Sequence, residues 1–365
     1  MAWLDSLFKL VVEKGASDLH ISSNLKPMLR MDGEMAPIES QAAIAPTQMK
    51  QYLQEVTPKY HWDEYEQTHD ADFAYAIEGV GRFRCNLFVD SGGPGAVFRV
   101  IPTKIPSVEE LKIPKAAVEL CHLKKGLVLV TGPTGSGKST TLAALIDYIN
   151  RVRHDHIITI EDPIEFVYAN KNCMINQRQV HLHTESFKKA LRASLREDPD
   201  IVLVGEMRDL ETIEIALETA ETGHLVFGTL HTNTAASAVD RIIDQFPSGQ
   251  QNQIRTMLAA SLKGVIAQTL CKKIPKGRVA AMEILIVNSA IAANIRDAKT
   301  TQIISMMQVG KAIGMCLIND VLLDYAKNKI IEPLEAFVQA SDKKDMFVKL
   351  KDIGFTVDLS KFQSQ

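Results

Sequence analysis

The sequence predicts an α/β fold in several parts, and three observations carry that prediction. From Gly126 to about Val287, short apolar runs alternate with stretches of helical spacing, the pattern of a mainly parallel sheet covered by helices. Within that region a glycine-rich octapeptide, Gly132 to Ser139, stands between a buried strand and a helix. Ahead of it, the first hundred residues break into strand-like pieces joined by glycine-containing turns, which reads as a smaller α+β domain.

Taken in order, residues 3–14 form an amphipathic helix that ends at Gly15, with Trp3, Leu4, Leu7, Phe8, Val11 and Val12 on one side. Packing on a core and lying on a membrane surface are the two readings of that stripe. Residues 17–22 read as a strand, and Asp32-Gly33 within residues 26–35 signals a hairpin. Residues 47–67 have helical spacing; residues 71–77, 81–90 and 95–101 read as strands. Arg82 and Arg84 alternate on one strand face, with Arg99 on the next strand. Such a row is either a solvated face or, if it meets phosphate, a guanidinium clamp. Residues 101–125, with Pro102, Pro106 and Pro114, read as a linker with one short helix.

The octapeptide follows the apolar run Leu127 to Val130 and precedes a helix from Thr140 to Ile149. Gly132, Pro133, Thr134, Gly135, Ser136, Gly137, Lys138, Ser139 and Thr140 therefore make the candidate phosphate cradle. The glycines let backbone approach an anion, and the helix N-terminus offers free N–H groups and the positive end of its dipole. Lys138 is a point charge for the β- and γ-phosphates, and the Ser139 hydroxyl is a ligand for Mg²⁺.

Three further strands end in polar residues. The run 157–160 ends in Glu161, Asp162 and Glu165 around Pro163. That is either a charged loop or a carboxylate placed to orient water at the ligand edge of the sheet. The run Ile201 to Val204 is followed by Gly205 and Glu206, the place of a magnesium-shell carboxylate, although many phosphate-loop proteins put Asp directly after the run. Asp209 is set to cap a helix over 210–222 that Gly223 ends. The run 225–230 leads to His231, a candidate γ-phosphate sensor; His224, at its start, reads as structural. A convincing helix spans 184–197, with Arg192 and Arg196 on one face. From Asn288 helical segments take over, and the charged tail from Ser341 on reads as partly loose.

Composition excludes some classes. The 365 residues are 46% hydrophobic and 23% charged, an ordinary globular balance, and the net charge of −3 gives no global basic signal for nucleic acid. The five cysteines have neither metal-ligand nor redox spacing and read as reduced thiols. No apolar run approaches membrane-spanning length, and the N-terminal stretch lacks a signal-peptide cleavage site.

Together these stretches resemble the secretion ATPase superfamily, and within it the PilT-like type IV pilus retraction ATPases. SDLHIS and RFRCN…GAVFRVIP are similar to that family's N-terminal PAS-like domain, GPTGSGKSTT to its Walker A, and IITIEDPIEF to its Asp box. LREDPDIVLVGEMRDLETI is similar to its Walker B, in which Gly-Glu replaces Asp, and TAETGHLVFGTLHTN to its His box.

The resemblance implies a PAS-like domain over 1–100, a linker over 101–120, a RecA-like ATPase core over 121–288 and a helical region over 289–365. It implies ATP and Mg²⁺, with Lys138 on phosphate, Ser139 and Glu206 at the metal, Glu165 as general base, His231 near the γ-phosphate, and Arg82, Arg84 and Arg99 as candidate arginine fingers. It also implies a cytoplasmic homohexamer that drives pilus retraction and twitching motility through an inner-membrane platform protein. Nucleic acid and direct membrane insertion are not expected; a paralogous pilus ATPase is a further candidate partner.

Two comparisons sort the branches. The four-cysteine metal site of extension and secretion members is absent, since only Cys271 and Cys316 follow the Walker B stretch. The retraction members' AIRNLIRE is similar to AIAANIRD here, with Ala292-Ala293-Asn294 in place of the central Arg-Asn-Leu. An accessory PilU-like ATPase is therefore one alternative, although that branch diverges from the GEMRD and GTLHT texts this chain keeps. A non-hydrolysing regulatory subunit and a nucleic-acid motor are the others.

Overall fold

In the computed structural model the described residues are 2–31, 34–101 and 104–355. They form two compact units. The first takes in residues up to Ile105 together with Pro163–Val167; the second takes in Pro106–Asp162 and the described residues from Tyr168 on.

Strand alternation builds the first unit. Its elements are α1 (Trp3–Glu13), β1 (Asp18–Ser22), β2 (Met28–Met31), β3 (Glu34–Pro37), α2 (Pro46–Val56), α3 (Lys59–Thr68), β4 (Asp70–Ile77), β5 (Gly81–Asp90) and β6 (Gly93–Ile101). The strands pair antiparallel in the order β3-β2-β1-β6-β5-β4. Phe83, Cys85 and Leu87 turn to one face and are buried with Leu4, Leu7, Phe8 and Val11 of α1. The ring of Phe8 stacks on Phe83 at 4.4 Å and meets Phe98 edge-on at 4.9 Å. The N-terminal helix thus packs on this core, although Val12 is exposed. The expected helix over 47–67 is two helices, because Pro58 pushes Thr57 into extended backbone. The hairpin between β2 and β3 forms, with Met31 opposite Glu34; Asp32 and Gly33 lie outside the described residues, as do Pro102 of the linker and the tail from residue 356.

The second unit opens with α4 (Lys115–Glu119), followed by β7 (Gly126–Thr131), α5 (Lys138–Val152), β8 (His156–Glu161), β9 (Met174–Gln179), α6 (Phe187–Ser194), β10 (Ile201–Val204), α7 (Leu210–Glu221) and β11 (Leu225–Leu230). Then come α8 (Ala235–Asp244), α9 (Gln251–Ser261), β12 (Leu262–Lys272), β13 (Arg278–Ile286) and the helices α10 (Ser289–Arg296), α11 (Gln302–Val309), α12 (Ile318–Lys327), α13 (Pro333–Gln339) and α14 (Lys343–Asp352). The sheet order is β13-β12-β7-β11-β10-β8-β9. All neighbours are parallel except β12 and β13.

Two features of this sheet escape the apolar pattern. Strand β9 reads MINQRQ and, paired only with β8 at the sheet edge, needs no apolar run. The antiparallel β12–β13 pair breaks the strand–helix alternation at the other edge. Helix α6 is shorter than the spacing suggests, because Ser186 rather than Thr184 caps it, accepting from the Lys189 N–H. Asp209 caps α7 as expected, accepting from the Thr212 N–H at 2.8 Å. No helix among the described residues is long and apolar enough to cross a membrane.

Candidate active site

Four parallel neighbours, β7, β11, β10 and β8, run through the centre of the second unit's sheet in aligned register. Thr131 stands opposite Leu230, and Val204 stands opposite both Gly228 and Ile160. Their C-terminal ends therefore lie along one edge, where a parallel α/β sheet receives ligands. That edge gathers the octapeptide after β7, His231 after β11, Glu206 after β10 and Glu161 at the end of β8.

The loop after β7 is shaped by its glycines. Gly135 and Gly137 adopt φ of +80° and +87°, in the left-handed region that side chains disfavour. A Cβ on Gly132 would stand 2.2 Å from the Gln268 carbonyl oxygen and 2.6 Å from Ser136 Oγ. Gly137 precedes the first residue of α5, so the loop delivers its backbone to a helix N-terminus. Lys138 Nζ donates to the carbonyls of Gly132 at 2.7 Å and Pro133 at 3.1 Å, curling over the loop. Ser136 Oγ is buried with no hydrogen-bond partner among the described residues. A phosphate oxygen would suit that orphaned donor and the surrounding cradle. Ser139 and Thr140, in the first turn of α5, are half-buried.

Glu206 sits just past β10. Its Oε1 is 2.5 Å from Arg208 Nε and 2.8 Å from His231 Nε2. Burial opposes its ionisation, but Arg208 and His231 outweigh that and hold the carboxyl below the ordinary range. The two sequence-predicted residues Glu206 and His231 are thus brought into direct contact. Arg208 is the residue that the motif pattern leaves without a role, and its spacing two residues beyond Glu206 is the signal that could have found it.

The structure explains the glycine at position 205. The Gly205 N–H still pairs with the Ile160 carbonyl of β8, at 2.8 Å. A Cβ there would meet that carbonyl oxygen at 3.0 Å and Glu161 Cα at 3.2 Å. Both are backbone atoms, so the carboxylate must come from the next residue.

The other carboxylates divide. Glu161 accepts from Thr159 Oγ1 at 2.6 Å and from Gln177 Nε2 at 3.2 Å, which fixes it to the sheet. Glu165 is half-buried in the 163–167 segment, which belongs to the first unit rather than to the unit that carries Glu206. The arginines lie in the first unit as well. Arg84 and Arg99 stand directly opposite each other on β5 and β6, with Arg82 two residues along β5 on the same face. Arg84 binds Asp72 through Nε and Nη2, at 3.3 and 2.7 Å, and Arg99 binds Asp18 through Nε at 2.8 Å. Of the histidines, His224 turns Nδ1 toward the Thr219 carbonyl, 3.1 Å away, in keeping with a structural role.

The altered AIAANIRD stretch forms α10 with its apolar seam kept, since Ile291 and Ile295 are fully buried. Asn294 is buried beside them, and its amide donates to Met306 Sδ at 2.8 Å.

Comparison with known proteins finds relatives over most of the chain. Residues 1–316 match the family model described as type II/IV secretion system protein. The type IV pilus retraction ATPase PilT of Pseudomonas aeruginosa is 50% identical over 315 residues, covering 86% of this chain and 90% of that protein. The type IV pilus ATPase PilU of the same organism is 37% identical over 349 residues, covering 95% and 91%. A crystal structure of the pilus retraction motor PilT with bound ADP superposes with a TM-score of 0.88 at 46% identity, covering 94% of this chain and 98% of that one. With its phosphate loop, Gly-Glu carboxylate and histidine at one sheet edge, and with this match over most of its length, the chain belongs to the type II/IV secretion system protein family.

Proposed function

We propose that this chain is an ATP-hydrolysing motor that powers retraction of a type IV pilus. The observation that carries this reading is the gathering of the phosphate loop, Glu206 and His231 at one sheet edge in a chain half identical to a PilT. The loop from Gly132 to Thr140 receives the phosphates of ATP, with Lys138 supplying positive charge. Ser139 and Glu206 are the residues that would hold Mg²⁺; a hydroxyl and a carboxylate kept ionised are hard oxygen donors suited to it. When bound, that ion neutralises charge developing on the phosphates. Glu165 orients the attacking water and takes its proton, and His231 sits near the γ-phosphate. Arg82, Arg84 and Arg99 provide guanidinium charge to the transition state.

In this reading the chain divides into a PAS-like domain (1–100), a linker (101–120), a RecA-like core (121–288) and a helical region (289–365). It works as a homohexamer on the cytoplasmic side of the inner membrane, attached through a platform protein, with a paralogous pilus ATPase as candidate co-motor.

Steady-state ATPase with the mass in solution tests this. The parent protein is expected to be a hexamer with magnesium-dependent turnover. Glu165→Gln and Glu206→Gln are each expected to lose about 100-fold or more of that turnover while still binding ADP. A parent that binds ATP without hydrolysing it would overturn the motor in favour of a regulatory subunit. Stimulation by DNA or RNA would overturn it in favour of a translocase.

A further inference from the structure

Gln268 belongs to none of the motifs, yet the fold delivers it to the phosphate loop. The last pairing between β12 and β7 sets Ala267 opposite Thr131. The next residue of β12 therefore lies beside the point where the chain leaves β7 for the loop. The Gln268 side chain is buried, at 3% exposure. Its Nε2 donates to the Ser136 carbonyl at 2.5 Å, and its Oε1 accepts from Thr141 Oγ1 at 2.7 Å. A carbonyl can only accept, so the amide's orientation is fixed with its NH₂ toward Ser136. The Gln268 backbone carbonyl closes against Gly132, where a Cβ would stand 2.2 Å away, and a Cβ on Gly137 would stand 3.0 Å from Nε2. One residue thus abuts the start of the loop, bonds its far end and bonds the first turn of α5.

This contact has a chemical consequence. A trans peptide carries its C=O and N–H on opposite sides. Turning the Ser136 carbonyl toward Gln268 turns the N–H of Gly137 away from it. Without the amide, the Ser136–Gly137 peptide is free to rotate and present a carbonyl oxygen, with its partial negative charge, where an anion must bind.

We propose that Gln268 is a positioning residue for nucleotide binding. It holds the Ser136–Gly137 peptide with its N–H toward the phosphates and ties the loop to α5 through Thr141. The proposal rests on the nucleotide reading above and adds to it a residue that acts through the loop without touching the reacting atoms.

The test uses the full-length protein with Gln268→Met, which keeps length and removes both bonds, and Gln268→Glu, which keeps the acceptor toward Thr141 and loses the donor toward Ser136. ADP affinity is read by titration with a fluorescent ADP analogue, fold by thermal melting without nucleotide, and turnover by KM and kcat for ATP. Both variants are expected to bind ADP about tenfold more weakly, the scale of a lost buried hydrogen bond. KM should rise in step while kcat at saturating ATP stays within about threefold, because the defect is in binding rather than in the chemical step.

Folded variants whose ADP affinity stays within about twofold of the parent overturn the proposal, since a loop held without the amide does not need it. A fall in kcat with KM unchanged overturns it too, as does failure of both variants to fold, which makes Gln268 a core residue and nothing more. A parent that does not bind ADP overturns the nucleotide reading and this one with it. A parent that binds while the variants are unchanged overturns this one alone.

Discussion

Asp18 shows how one buried residue can fix the direction of an exposed one. It is buried, at 3% exposure, yet its neighbours across the sheet are Arg30 on one side and Arg99 on the other. Burial alone would push its carboxyl up. The Ser17 hydroxyl at 2.7 Å and Arg99 Nε at 2.8 Å outweigh that and hold it below its ordinary value. The Arg99 side chain remains 69% exposed while bound through Nε, so Asp18 fixes its direction without covering it. The carboxyl binds its proton less readily in the folded chain than in the unfolded one. Its contribution to stability is therefore present above the ordinary carboxylate value of 3.8 and is lost as pH falls through the lower folded value. Asp18→Asn keeps the shape and exchanges charge-assisted bonds for neutral ones. A loss of about 1–2 kcal/mol is expected in urea unfolding at neutral pH, fading as pH drops below the ordinary carboxylate range. A gap between parent and variant that is the same at acid and neutral pH would show that Asp18 contributes no charge-dependent stability.

At the scale of elements, β10 and its neighbours decide where the site's carboxylate can stand. Pairing with β8 continues through the Gly205 N–H, and the backbone of Ile160 and Glu161 fills the space a side chain would need. Gly205→Ala is expected to destabilise the second unit by about 1–3 kcal/mol, the range for forcing extra atoms into a packed interior. Thermal melting with and without ADP would show it, and an unchanged melting temperature would mean that β8 yields more easily than its backbone contacts imply. The same elements show what a sequence can disclose. The apolar runs of β7, β8, β10 and β11 were legible because a strand buried on both faces is apolar along most of its length, and each motif begins where its run stops. Strand β9 was illegible because an edge strand with half its residues outward carries no such run. Gln268 was illegible for a different reason. Its partners Ser136 and Thr141 lie well over a hundred residues away in sequence, and only the parallel pairing of β12 with β7 brings them together. The contact of Arg208 with Glu206 depended likewise on the path of the loop after β10, which residue types alone leave open.

At the scale of the whole molecule, each unit has its own apolar core. One gathers residues from Leu4 to Phe98 around Phe8, Phe83 and Phe98; the other runs from Leu127 to Met315 across the parallel sheet. A smaller cluster joins Cys271 and Ala281 of β12 and β13 to Leu322, Ala336, Met346 and Leu350 of α12, α13 and α14. Separate cores favour separate unfolding steps. The sequence supplies a reporter, because both tryptophans, Trp3 and Trp62, belong to the first unit. Trp62 is buried, and Trp3 stacks on Tyr52 at 4.2 Å, so fluorescence follows the loss of that core. Far-UV circular dichroism follows both units. Urea curves from the two probes are expected not to coincide. ADP at about 100 times its dissociation constant should add about 2.7 kcal/mol to the step that unfolds residues 126–152, since a ligand stabilises the state that binds it. That addition should vanish in Lys138→Ala, which removes the charge that closes over the loop. Coincident curves shifted as one by ADP would mean instead that the two cores unfold as a single cooperative body, and that binding at the loop is felt by both at once.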